Sequence, residues 1–87
     1  MPKFTYPIVF ILNDGNKEYC GAIPDLGLFA DGDKLEDVYA VAEELIKQYF
    51  VLAVKHGLEV PSPSTLEETI DKWKNYKVSL ITANIPD

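Results

Sequence analysis

The chain has 87 residues, of which 47% are hydrophobic and 25% charged, and its net charge at pH 7 is −6. This length predicts one domain, residues 1–87, and the apolar content excludes an intrinsically disordered protein. The acidic balance disfavours direct nucleic-acid binding and favours a basic protein partner. Cys20 is the only cysteine, which excludes an intrachain disulfide and fits a cytoplasmic location. The apolar run at 6–12 is too short to span a membrane.

Three strands are predicted in the first third of the chain, at residues 4–12, 17–23 and 28–31, with turns at 13–17 and 24–27. The first strand has alternating large apolar residues on one face, and Val9 and Ile11 make its other face apolar too. We therefore expect it to be covered on both sides or to lie in an oligomer interface. Pro7 lacks an N–H, which favours an edge position or the strand start.

The rest of the chain predicts a long helix, a shorter helix and a final strand, at residues 34–56, 65–74 and 77–85. Gly57 ends the long helix, whose apolar residues recur at three- and four-residue steps. Residues 49–54 are apolar on every side, which predicts cover by the second helix or by another chain. The residues predicted for an oligomer interface are Tyr49, Phe50 and Val54. The fold class is α+β, an antiparallel β-β-β-α-α-β two-layer sandwich.

Several carboxylates lie between the second strand and the long helix: Asp25, Asp31, Asp33, Glu36 and Asp37. Asp33 and Glu36 have the spacing of a capping box, and Asp37 lies in the first helical turn, where negative charge is favourable. The second helix repeats this spacing with Ser64 and Glu67, or with Thr65 and Glu68.

The sequence contains no strong motif for metal binding, catalysis or nucleic-acid contact. The "DGDKLED" stretch lacks the ligand positions of an EF-hand, and sequence alone does not bring two carboxylates together across a cleft. His56 favours a role at the helix end, and Cys20 favours a small core residue. The basic–aromatic stretch 72–77 favours a buried Trp73 with solvated lysines over nucleic-acid contact. We expect no enzyme activity, no cofactor and no metal site.

Three stretches together resemble one known family: "YPIVF", "YCGAIPDL" and "DGDKLEDVYAVAEELIKQYFVLAVKHGLEVPSPS". In order and spacing they are similar to the HicB-like antitoxins, from Tyr6 to about Ile85. The chain departs from the family pattern at "PDLGLFADGD", where members commonly continue with Pro-Gly-Cys. It also has Lys34 where threonine or serine is usual. The resemblance implies a partial RNase H-like fold without RNase H catalysis.

The resemblance further implies a function. HicB-like antitoxins neutralise a small HicA-type mRNA-cleaving toxin by covering its active surface, and many carry a C-terminal DNA-binding domain. This sequence ends at Asp87 without one, so we expect no direct DNA binding, and we expect a homo-oligomer, a dimer or tetramer. The surface residues predicted to contact the toxin are Asp25, Asp31 and Glu44. The alternatives are an orphan oligomeric scaffold or small-ligand binder, and a degenerate RNase H-like nuclease using magnesium.

Overall fold

The computed structural model describes residues 3–13 and 18–84. It contains six elements: β1 (Lys3–Asn13), β2 (Glu18–Ile23), β3 (Leu28–Gly32), α1 (Leu35–His56), α2 (Leu66–Lys72) and β4 (Lys77–Asn84). This order confirms the predicted α+β class. Of the predicted turn at 13–17, residues 14–17 lie outside the described residues. No helix of the described part of the chain is long and apolar enough to cross a membrane.

The four strands form one antiparallel sheet in the order β3-β2-β1-β4, so the last strand of the chain lies beside the first. The prediction of an edge position for Pro7 is therefore wrong for β1 as a whole, which is a central strand. It holds locally, because β2 pairs with β1 only over Val9–Asn13, whereas Pro7 lies opposite Leu80 of β4. A missing N–H is tolerated where a strand has a neighbour on one side.

Helix α1 covers one face of the sheet and forms the main core with it. Its buried residues follow the predicted three- and four-residue spacing and pack on alternate residues of β1, among them Tyr6 and Ile8. At the end of this face the rings of Phe4 and Phe50 stack with centroids 4.2 Å apart. Gly57 ends the helix in the left-handed conformation (φ 64°), as predicted, and Leu58 N–H donates to the Ala53 carbonyl at 2.8 Å.

The second face of the sheet is only partly covered. Pro7 and Val9 point away from α1, yet both are fully buried. Helix α2 contacts β4, and its Thr69 lines a depression together with Pro24, which follows β2. Phe29 and Leu80 on the same face are 67% and 45% exposed, so the main core is the one between α1 and the sheet.

The two helices begin differently. The capping box predicted for Asp33 is wrong: α1 has Lys34 at its N-cap with no side-chain hydrogen bond, because the helix begins at Leu35 and leaves Asp33 one residue outside the cap. The capping box of α2 is confirmed for the Thr65 alternative. Thr65 Oγ1 accepts from the Glu68 N–H at 3.1 Å, and the Glu68 carboxylate accepts in return from the Thr65 N–H.

Gly21 provides a test of the packing between α1 and the sheet. A Cβ at this position would lie 2.7 Å from Cγ1 of Val38 and 2.8 Å from Cδ1 of Ile8. We expect Gly21→Ala to lower the free energy of unfolding by about 1–3 kcal/mol through overpacking, measured by urea denaturation. Val38→Ala opens space at this contact. The free energy of unfolding lost by the double variant should therefore be smaller than the sum of the losses in the two single variants. An unchanged midpoint for Gly21→Ala would contradict this account.

The two helices differ in their N-caps, and this difference predicts different stability effects for two substitutions. Thr65→Ala removes the acceptor for an N–H of α2 and should lower the free energy of unfolding by about 0.5–2 kcal/mol. Asp33→Ala removes a side chain that caps nothing and should change it by less than about 0.5 kcal/mol. Both residues are exposed and precede a helix, so each serves as the control for the other. A larger loss for Asp33→Ala would place the α1 cap at Asp33 after all.

Candidate functional site

The three carboxylates predicted for partner binding lie on three different parts of the molecule. Asp25 lies in the turn between β2 and β3, Asp31 lies near the end of β3, and Glu44 lies in the middle of α1. Asp31 and Glu44 are exposed, whereas Asp25 is half-buried. The structure therefore does not assemble them into one site.

Asp25 has a structural partner within the chain. Its two carboxylate oxygens accept hydrogen bonds from Ser64, one from the backbone N–H at 2.9 Å and one from the hydroxyl at 2.7 Å. These bonds join the β2–β3 turn to the segment that leads into α2. Tyr6 supports the same segment by donating its hydroxyl to the Pro61 carbonyl at 2.7 Å. Asp25 therefore holds the chain together where α2 begins, and this use competes with contact to a partner.

Asp31 belongs to an exposed strand edge. β3 pairs with β2 on one side only, and Asp31 lies opposite Cys20 in the register. Burial raises the pKa of the Cys20 thiol above its usual value, and the hydrogen bond and negative charge of Asp31 raise it further. Cys20 is therefore held as a neutral thiol and is a poor nucleophile.

A large aromatic side chain lies beside Asp31 at this edge. Phe29 is two residues away, so it is on the same face of the sheet, and it is 67% exposed. Asp33 follows the strand and is also exposed. We name Phe29, Asp31 and Asp33 the β3 rim. The rim combines an apolar ring with two carboxylates on a strand edge that has unpaired backbone groups, which suits a protein partner with basic residues.

The residues predicted for an oligomer interface have different environments. Phe50 is only 5% exposed because Phe4 and Tyr6 of the same chain cover its ring, which leaves little of this side chain for contact with a second copy. Tyr49 is half-buried, and Val54 is 79% exposed. Two neighbours that were not predicted for the interface, Val51 and Leu52, are 52% and 53% exposed.

Two of the surface depressions lie at opposite ends of the sheet. One, of about 180 Å³, lies between the β2–β3 turn and α2 and includes Asp25, Glu68 and Trp73 in its wall. The other, of about 500 Å³, lies at the opposite end of the sheet; its lining residues are Phe10, Tyr19, Leu35, Asn75, Tyr76 and Lys77. Within residues 3–13 and 18–84, no group of three or more His, Cys, Asp and Glu side chains is close enough to hold a metal ion.

The basic–aromatic stretch at 72–77 has the predicted form. Trp73 is partly buried and contacts Tyr76 edge-on, with ring centroids 5.9 Å apart. Its three lysines are exposed, and Lys74 forms an ion pair with Asp71 at 3.5 Å. Exposed pairs of this kind contribute about 1 kcal/mol or less to stability. The lysines form a solvated border around this partly buried ring.

Sequence reasoning missed Phe29, Val51 and Leu52. Phe29 carried a weak signal, since it lies between Leu28 and Ala30 in a strand whose core-facing residues alternate with it. Val51 and Leu52 were seen only as part of an apolar stretch. Once Phe50 is placed in the core, the helix periodicity directs the side chains of Val51 and Leu52 toward solvent.

Known structures share this fold. The N-terminal domain of the Burkholderia pseudomallei antitoxin HicB is 22% identical, with a TM-score of 0.81, and the match covers 94% of this chain and 100% of that domain. The B. pseudomallei antitoxin HicB itself is 20% identical with a TM-score of 0.77; the match covers 97% of this chain and 69% of that one. A chain in a HicA3 and HicB3 toxin–antitoxin complex is 25% identical with a TM-score of 0.70, covering 97% of this chain and all of that one.

Sequence comparison agrees with the structural comparison. No curated protein matches the chain significantly. The family model described as "HicB_like antitoxin of bacterial toxin-antitoxin system" matches residues 6–85, which is nearly the whole chain. The chain therefore belongs to the HicB-like antitoxins of bacterial toxin–antitoxin systems.

Proposed function

We propose that this protein is an antitoxin that binds a small basic HicA-type toxin and blocks its mRNA-cleaving activity without being an enzyme itself. The observation that carries the proposal is the family match over residues 6–85. A similar fold in a HicA3 and HicB3 complex supports it. The net charge of −6 supports it as well, because a protein that cleaves mRNA has to attract a polyanion and is expected to be basic.

The β3 rim is the toxin-docking surface in this proposal. Phe29 offers an aromatic anchor that nothing in the described part of the chain covers, and Asp31 and Asp33 offer charges that attract a basic partner. The edge of β3 offers further backbone donors and acceptors. Of the three carboxylates predicted for this role, we retain Asp31. Asp25 bonds to Ser64, and Glu44 lies apart on α1.

Two further features belong to the proposal. The protein acts in the cytoplasm, where mRNA is available, and its single cysteine requires no oxidising compartment. It also acts as a homo-oligomer, because the exposed apolar residues of α1, among them Val51, Leu52 and Val54, would then be covered. Phe50 takes no part in this contact.

The proposal expects a small basic HicA-type protein to be encoded beside this chain, and the test is calorimetric titration with that protein. We expect wild-type protein to bind it, and we expect Phe29→Ala and Asp31→Lys each to weaken binding by about tenfold or more, since a central aromatic or charged contact is worth about 1–2 kcal/mol. Glu67→Lys is the matched control. It changes the net charge as much as Asp31→Lys does but lies in α2, away from β3.

Three outcomes are informative. Weak binding by the β3 rim variants with normal binding by Glu67→Lys supports the proposal. If Asp31→Lys and Glu67→Lys weaken toxin binding equally, the loss of affinity is a general effect of net charge, and the β3 rim is rejected as the docking surface. No binding by the wild-type chain would reject the antitoxin function and favour the orphan scaffold.

A further inference from the structure

We propose that α1 pairs with α1 of a second copy of this chain, antiparallel, through a stripe of exposed residues on the side of α1 opposite its buried residues. This inference gives the contact of the homo-oligomer proposed above and is independent of toxin binding. The stripe runs at alternating steps of four and three residues. Its members are Asp37, Val41, Glu44, Gln48, Val51 and Lys55, and all six are exposed.

Steps of four and three residues are the heptad spacing of two helices that pack along their length. The core-facing residues of α1, such as Val38, Ala42 and Ile46, lie on the other side and are fully buried by the sheet. The helix therefore has two stripes, one packed within its own chain and one exposed. Val41 and Val51 are 41% and 52% exposed, and Leu52 beside them is 53% exposed.

The order of residues in the stripe indicates that the molecule that binds it is a second copy of this chain. Counted inward from its two ends, the stripe gives three pairs: Asp37 with Lys55, Val41 with Val51, and Glu44 with Gln48. Two antiparallel copies related by a two-fold axis place the members of each pair opposite one another, once on each side of the axis. Acid then faces base, valine faces valine, and a carboxylate faces an amide that can donate to it. A parallel copy would instead place each residue opposite itself.

A groove on this side of α1 agrees with the antiparallel pairing. It encloses about 440 Å³, and its lining residues are Glu44, Lys47, Gln48, Val51 and Leu52. The first four have the i, i+3, i+4, i+7 spacing of a hole that receives a side chain from a facing helix. In the proposed pairing, Glu44 of the second copy lies over this hole, where Lys47 and Gln48 offer N–H donors. Lys47 is already held there by an ion pair with Glu43 at 3.4 Å.

The charge pair at the two ends provides the experiment, which is sedimentation equilibrium of the full chain at low ionic strength. We expect wild-type protein to form a species of about twice the 9.8 kDa mass of one chain. Asp37→Lys and Lys55→Asp should each weaken the dimer by about tenfold, because each places like charges opposite one another twice. The double variant Asp37→Lys/Lys55→Asp restores opposite charges and should recover most of the wild-type affinity.

Glu36→Lys is the control for Asp37→Lys. It makes the same charge change in the same helical turn, with the same loss at the helix dipole, but it lies off the stripe. Circular dichroism of every variant checks that the helix is intact. Gln48 lies in the middle of α1, away from the helix ends, and gives a second test. Gln48→Glu places a second carboxylate opposite Glu44 and should weaken the dimer. Gln48→Lys places a positive charge opposite Glu44 and should strengthen it.

The outcomes separate the proposals. If none of these substitutions changes the affinity of the dimer, the proposed α1 contact is wrong, and only the proposal of a homo-oligomer is kept. A wild-type chain that stays monomeric would overturn both. Neither result affects the toxin titration, because the β3 rim contains none of the stripe residues.

Discussion

The close approach of α1 to the sheet is the constraint on which the rest of the structure depends. At Gly21 there is no room for a Cβ between Val38 and Ile8, and at Gly32 a Cβ would lie 2.7 Å from that of Asp37. The first contact sets the depth at which α1 packs, and the second brings the chain directly from β3 into α1. With α1 so close, the residues of the sheet that face it are buried.

The face of the sheet under α1 is covered from within the chain, and the surfaces that stay exposed include the edge of β3 and the outward side of α1. The β3 rim and the α1 stripe are two such surfaces, and they differ in chemistry. The rim combines an aromatic ring with carboxylates at a strand edge, which suits a basic protein of another kind. The stripe is complementary to itself when reversed, which suits a second copy. In the two proposals, the toxin and a second copy of the chain use different surfaces.

Local patterns predicted the elements well, because side-chain alternation and helix periodicity depend on neighbours in sequence. The bounds of α1 differ from the prediction by one residue, and the Thr65 cap was recognisable from four residues. The failures involve partners that are distant in sequence. Asp25 bonds to a residue 39 positions away, and Phe50 is covered by Phe4 from the far end of the chain.

The central claim is that this acidic HicB-like domain neutralises a toxin by covering it. The most direct measurement is mRNA cleavage by the purified small basic partner as this chain is added in increasing amounts. The account predicts that cleavage falls steadily and stops near a ratio of about one to one, because each chain covers one active surface with high affinity. Undiminished cleavage at a several-fold excess of correctly folded chain would contradict it.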